Sequence, residues 1–323
     1  MPNLLSVWLY SMFFHVNVFY VRQSRLLKKF LILFSGLVYL LYSSSVFSQK
    51  DILNWVGCGI SKKSYMTKLA AAYSKRKGVE INLQGGGATR GIREVAKQVA
   101  DFGGSCRFHL PGSAEEKDTV FEPVAWDALA IITNPENPVG NVTLDQIKKV
   151  YTGEITNWRE LGGANKPIKL FTRKGKISGV GYSIRAIIFS DINMDFASAK
   201  QFKSSGPLEK AVEKDVAAIA ITGVSSARLR KVKILSLNSK KPDYNSIKRG
   251  KYVLYRPLYI TYNLSNPNLP RIKDFIKFAH SRRGRKIMIK NGVVPYLDAL
   301  KLVMIQSRQS LDAQRKSNNN LTY

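Results

Sequence analysis

The chain has 323 residues, 45% hydrophobic and 23% charged, an ordinary globular composition able to bury a sizeable core in two lobes and unlike that of a disordered chain. Lys and Arg number 51 against 22 Asp and Glu, for a net charge of +29. Residues 1–48 contribute Arg22, Arg25, Lys28 and Lys29 and no acid, so the remainder carries 47 minus 22, or +25. Such a field attracts anions in general and does not choose among phosphate, nucleic acid and anionic lipid.

The first predicted feature is a targeting region. Arg25, Lys28 and Lys29 precede the apolar run 30–42, and Ser43-Ser44-Ser45-Val46-Phe47-Ser48 and Gln49 follow, in the order of a secretory signal with Val46 and Ser48 ahead of the cut. The segment 4–21 is by itself about the length of a membrane span. It is a surplus leader ahead of a cleaved signal or an N-terminal anchor, and export is expected either way. Cys58 follows Gly57 as a lipidated cysteine would, but it lies too far beyond the apolar run.

Residues 52–56 read as a strand, 65–77 as a helix with Met66, Leu69, Ala70 and Tyr73 on its apolar stripe, and 79–83 as a second strand. The stretch 83–107, LQGGGATRGIREVAKQVADFGGSCR, repeats the unit. It gives a glycine loop, a short helix opening at Thr89 to Gly91, and a strand running into Phe102-Gly103-Gly104-Ser105-Cys106-Arg107. Three consecutive glycines permit close backbone approach and leave bare N–H groups at a helix start. The loop faces an anion or is a plain strand-to-helix turn; the glycines alone leave both open. The alternation predicts a parallel α/β sheet with ligand loops at the carboxyl ends of its strands.

Residues 120–133 form an apolar strand run with a turn-rich tail, and 144–151 a helix with Thr143 as N-cap and Gln146 at the capping-box position. A polar loop, 153–163, surrounds Trp158. The strand 168–172 delivers a second glycine loop, 173–181, carrying Arg173, Lys174 and Lys176 into a helix at 182–189. Further strands are predicted at 217–222, 232–237 and within 252–263, the last returning to the first lobe. Residues 271–279 and 284–290 read as helices, and the polar end 306–323 is expected to fray. No repeat or linker divides the chain, so the lobes interleave.

His15, His109 and His280 are scattered, and neither a metal-ligand cluster nor a cofactor is expected. No nucleophile elbow, Walker loop or Cys–His pair points to an enzyme. Cys58 and Cys106 each follow a predicted strand. They form a disulfide worth about 4 kcal/mol in the chain-entropy picture, or two free thiols; sequence does not fix the geometry.

The glycine-rich 83–92, the run Asp101-Phe102-Gly103-Gly104-Ser105, the segment 124–137 and Tyr151-Thr152-Gly153-Glu154-Ile155-Thr156-Asn157-Trp158, in this order, resemble the phosphate-binding protein family of bacterial ABC importers. The resemblance spans about 52–263. It implies an α/β, two-lobe periplasmic-binding-protein (Venus flytrap) architecture with two hinge crossovers. Lobe one would be about 51–126 plus 258–323, lobe two about 127–257, and the hinges would lie near 126–128 and 256–258. It also implies a periplasmic monomer that holds inorganic phosphate or a similar oxyanion between its lobes, closes on it and docks on an ABC permease in the inner membrane. Nucleic acid is not an expected partner, and binding rather than catalysis is the expected activity.

The ligand-binding set implied by the resemblance is Ser61, Gly87, Ala88, Thr89, Cys106, Arg173, Ser178 and Gly179. Ser61 holds the place of a hydroxyl donor, and Arg173, Ser178 and Gly179 hold those of an Arg, Ser-Gly-Thr group, with Val180 instead of threonine. Two positions depart from the pattern. Ala88 stands where a serine is usual, with Thr89 beside it. Cys106 stands where many members place the aspartate that accepts the proton of hydrogen phosphate. Without that acceptor the reason to prefer protonated phosphate is lost unless Asp127 reaches in, so a variant oxyanion or small organic anion is the alternative ligand. An envelope sensor or interaction protein of the same fold, binding another anion or none, is the alternative function. Arg173 suits bidentate anion recognition, and Ser61, Thr89 and Ser178 also suit helix N-caps. Trp126 and Trp158 read as packing residues and the run 281–286, SRRGRK, as a solvated helix face.

Overall fold

A computed structural model describes residues 51–319; the expected signal and the segment 4–21 lie outside the described residues. The strands, in chain order, are β1 (Ile52–Gly57), β2 (Glu80–Gly85), β3 (Phe102–Ser105), β4 (Val120–Thr133), β5 (Asn141–Val142), β6 (Lys169–Arg173), β7 (Lys200–Phe202), β8 (Ala218–Gly223), β9 (Lys233–Ile234), β10 (Ser236–Leu237), β11 (Tyr255–Tyr262) and β12 (Val294–Pro295). The main sheet runs β2-β1-β3-β11-β4-β8-β6-β7, with β9 and β12 also on β4, and β5 pairs with β10 apart from it.

The sheet is mixed, and this corrects the expectation of a parallel one. β1 is parallel to β2 and β3, and β6 to β7 and β8. Between these groups the chain leaves on β4 and returns on β11, antiparallel to each other; β11 is also antiparallel to β3 and β4 to β8. A direct outward and return crossing between two α/β groups places opposed strands side by side, and only the helix-crossover units within each group are parallel.

β4 changes neighbours along its length. Tyr255 to Tyr262 of β11 pair with Ala128 back to Val120, while Leu129 to Thr133 pair with Gly223 to Ile219 of β8. The run VAWDALAIIT of β4 is fully buried, so it reads as continuous apolar sequence and not as an alternating strand. Pro123 in β4 and Pro257 in β11 give no N–H to the ladder, and the register shifts between Leu258 and Tyr259 where Pro123 faces β11. Trp126 at this crossing stacks on Tyr296 at 4.9 Å and donates its indole N–H to the Tyr296 carbonyl at 3.2 Å. Trp158 is also buried, its indole N–H on Ala217 O. Both tryptophans pack.

The helices start where polar caps end the strands. Helical backbone begins at Gly59–Ser61, earlier than the expected 65, passes a π turn at Lys62–Met66 and continues as Thr67–Lys77 to Gly78, whose φ of +73° ends it. Thr143 and Gln146 form the expected capping box on Leu144–Thr152. The helix expected at 182–189 begins three residues sooner, as Gly179–Ile184 and a π turn Arg185–Phe189, because the Ser178 hydroxyl caps Gly181 N. The expected strand 232–237 is split into β9 and β10, on different partners.

Of the end expected to fray, 306–323, the described part is helical, as the end of Lys301–Asn319; residues 320–323 lie outside the described residues. The first turn of that helix buries Leu302 completely, and the helix packs on the π turn Arg185–Phe189. Docking through Leu302 holds the start of a segment whose average composition is polar. No helix among the described residues is long and apolar enough to cross a membrane.

Glycine matters most where β1, β3 and the helix Ala88–Ala96 touch. A Cβ on Gly91 would stand 2.7 Å from Val56 O and 3.0 Å from Gly57 Cα, both backbone atoms that cannot rotate away. Gly91→Ala is expected to destabilise the chain by about 1–3 kcal/mol, the usual cost of overpacking, as a lower urea midpoint at unchanged slope. An unchanged midpoint would show that the helix is free to move off the sheet.

Candidate functional site

Three helix starts converge on the Cys106 sulfur. Cys58 caps the helical run from Gly59, with Sγ accepting from Ser61 N at 3.3 Å, and its thiol lies close enough to Cys106 for the two to shift each other's titration. Gly87 precedes the helix Ala88–Ala96 at φ 97°, ψ 166°, a conformation that favours glycine. Ser178 caps the helix from Gly179. A Cβ on Gly179 would overlap Cys106 Sγ and lie 3.0 Å from Ala88 Cβ, so the two glycine loops touch. Free N–H groups at helix starts carry partial positive charge, and their convergence makes an anion-favouring point.

Hydrogen bonds join the loops beside that point. Thr89 Oγ1 and Arg107 Nε both donate to Ile177 O at 3.0 Å, and Ser183 Oγ donates to Cys106 O at 3.3 Å. Arg107 is held in turn by Glu116. Its Nη1 and Nη2 donate to the two carboxylate oxygens at 2.9 and 2.6 Å, with both side chains fully buried.

Two further arginines supply charge. Arg173 donates to Phe202 O at 3.2 Å, Lys203 O at 2.6 Å and Ser205 Oγ at 3.0 Å, which anchors it on the β6/β7 side. Arg256, 3% exposed, reaches from β11 to the second loop, donating from Nη1 to Gly179 O and Ser183 Oγ, each at 3.1 Å. Its Nη2 is 3.9 Å from Asp127 Oδ2. Asp127 accepts from Ser225 N and Ser225 Oγ at 3.2 and 2.6 Å. Burial raises the Asp127 pKa against the opposing pull of Arg256 and Ser225.

The sulfurs report the local field. The hydrogen bond from Cys58, together with the charges of Arg256 and Arg173, outweighs burial and draws the Cys106 thiol down to about 6. Cys58 moves up, through burial first and then its bond to Cys106. Both thiols are free and buried. The pair therefore holds its negative charge on Cys106, where the helix starts point.

The eight residues singled out in the sequence have distinct surroundings. Gly179 lies against both Cys106 Sγ and Ala88 Cβ, with Gly87 next in chain to Ala88. Ser61 Oγ lies 3.0 Å from Cys58 Sγ and donates to Ser105 O at 3.4 Å. The Thr89 hydroxyl bridges to the second loop, the Ser178 hydroxyl caps its helix, and Arg173 is held by groups on its own side. Sequence reasoning gave no site role to Arg107, Glu116 or Arg256. Arg107 follows Cys106 in the first motif, which is a signal of position only. Nothing local marks Glu116 or Arg256, because their partners lie 9 and 77 residues away in the chain.

Comparison with known proteins gives this geometry a family. A family model described as a PBP superfamily domain matches residues 57–283, well over half of the chain. The chain belongs to the PBP superfamily. Among its relatives, the phosphate-binding protein PstS of Borreliella burgdorferi is 27% identical over 273 residues, covering 79% of this chain and 96% of that protein. A putative phosphate ABC transporter substrate-binding protein from Clostridium perfringens, solved with bound phosphate, superposes with a TM-score of 0.66 at 26% identity, covering 76% of this chain and 99% of that one. An ABC-type phosphate transport receptor from Vibrio cholerae gives a TM-score of 0.58 at 27% identity, covering 75% and 99%. The two-lobe PBP architecture expected from the sequence is the observed one, with helix-flanked strand groups on either side of the β4/β11 crossing.

Proposed function

We propose that this PBP superfamily member is an exported solute-binding protein that captures phosphate or a related oxyanion between its lobes and delivers it to an ABC importer. The observation that carries the reading is the convergence of three helix starts, with Arg173 and Arg256 nearby, on one buried point where negative charge is favoured. The phosphate-binding relatives support the choice of oxyanion. Lobe one is about 51–126 plus 258–323 and lobe two about 127–257. The change of β4 partners between Ala128 and Leu129 supports hinges near 126–128 and 256–258. The ligand-contacting set is Ser61, Gly87, Ala88, Thr89, Cys106, Arg173, Ser178 and Gly179. Closure on the anion presents both lobes to a permease of the inner membrane, and a monomer suffices for that cycle. The basic charge of +25 after residue 48 draws anions toward the cleft.

Calorimetric titration of the purified chain with phosphate, sulfate, molybdate and small organic acids tests the reading. Heat is expected with phosphate or another oxyanion. Arg173→Ala is expected to weaken it about 10- to 100-fold, since a hydrogen bond to a charged group contributes about 1.5–3 kcal/mol. No heat with any anion, and no effect of the substitution, would overturn the receptor and leave a PBP-fold sensor or interaction protein.

A further inference from the structure

We propose that Cys106 and Cys58 are a peroxide-reactive dithiol that closes to a disulfide inside the cleft. Only two cysteines occur in the chain, and the fold brings them together from 48 residues apart. Gly57 pairs with Gly104 on parallel β1 and β3, and Cys58 N continues the ladder by donating to Gly104 O at 2.9 Å. Cys58 therefore stands opposite Ser105, one residue from Cys106. With strands about 4.8 Å apart and a rise of about 3.3 Å per residue, the two Cα atoms fall about 6 Å apart, within the range a disulfide spans. The ladder holds both cysteines at adjoining strand ends, and their thiols are close enough to shift each other's titration in opposite directions.

The roles of the two sulfurs differ. Cys106 carries the charge, favoured by the Cys58 thiol and by Arg256 and Arg173, and a thiolate is the reactive form. It also lines a cavity of about 80 Å³ with Arg107, Tyr182, Ser183, Arg256 and Pro257, room enough for an oxidant as small as hydrogen peroxide. Cys58 keeps its proton and waits as the resolving thiol. In the first step the Cys106 thiolate attacks one peroxide oxygen, the O–O bond breaks, a sulfenic acid forms and hydroxide leaves. In the second step the Cys58 sulfur attacks the sulfenic sulfur. The S–S bond forms, the S–O bond breaks, and water leaves with the Cys58 proton. Two thiols are oxidised and one peroxide is reduced.

One consequence rests on the anion reading above. The thiolate shares Arg173 and Arg256 with any incoming anion, and the neutral disulfide does not. Oxidation therefore favours binding of a fully ionised oxyanion such as sulfate.

The test treats the purified, anion-free chain with hydrogen peroxide and follows intact mass and thiol count. The expected result is loss of two hydrogens and of both thiols, reversed by a phosphine reductant. Cys58→Ser is expected to stop at a gain of one oxygen that a sulfenic-acid trap such as dimedone captures, and Cys106→Ser to leave Cys58 unreacted on the same timescale. Two thiols retained in peroxide, or Cys58 oxidised first, would overturn the proposal. These readouts need no anion, so they fail separately from the receptor reading. Sulfate titration of oxidised against reduced chain then checks the affinity consequence, with weaker binding after oxidation refuting it.

Discussion

Glu116→Ala is expected to be among the most damaging single substitutions in the chain, costing about 3–5 kcal/mol, the usual penalty for breaking a buried ion pair from one side. Both side chains of the Arg107–Glu116 pair are fully buried, and Glu116 also accepts from Leu110 N at 3.0 Å. Its removal strands the Arg107 guanidinium and frees the arm that holds Ile177 O. Equilibrium urea unfolding measures the loss. Arg107→Met combined with Glu116→Leu is expected to recover much of it, because no buried charge is then left unpaired. A single variant as stable as the parent would show that water reaches the pair.

The same pair sets a pH dependence. Burial alone would raise the Glu116 pKa, but the hydrogen bonds and charge of Arg107 outweigh it and hold the carboxyl below its ordinary value. A carboxyl depressed in the folded state stabilises the fold at pH above its unfolded pKa, about 4.3 for glutamate. That contribution disappears as pH falls through the folded value. The parent should lose stability on acidification below that point, and Glu116→Gln should lose less over the same interval.

Gly179→Ala is expected to weaken anion binding about 5- to 150-fold while leaving the fold intact. The added Cβ meets Cys106 Sγ and Ala88 Cβ, atoms on the opposite loop, so the overpacking cost of about 1–3 kcal/mol falls on loop contact and not on either loop alone. Each 1.4 kcal/mol is a factor of ten in affinity. Adding Cys106→Ala to Gly179→Ala removes the sulfur and is expected to restore part of the loss. Calorimetry with phosphate reads the affinity, and thermal unfolding checks the fold. Equal affinity in parent and Gly179→Ala would show that the anion is held without this contact.

Local pattern carried far into the fold. β4 spans the predicted residues 120–133, and the Thr143–Gln146 capping box is present, because both depend on neighbours close in sequence. The glycine loops were legible as loops, since runs of glycine next to a helix start admit few other readings. The early start of the Gly179 helix and the helical C-terminus were not, because a cap and one buried leucine outweighed average propensity.

The stretch 83–107 by itself determined a glycine loop feeding a helix start and a strand running into Cys106 and Arg107, and with the second loop it pointed to an anion between two lobes. What surrounds the two loops was decided only by the tertiary structure. The fold sets the Cys58 thiol on Cys106, brings Arg256 from the return strand to Gly179 O, and ties Arg107 to both Glu116 and the far loop. Charge acts through space with an energy that depends on distance and burial. A sequence lists the charges, and the fold fixes their distances and burial.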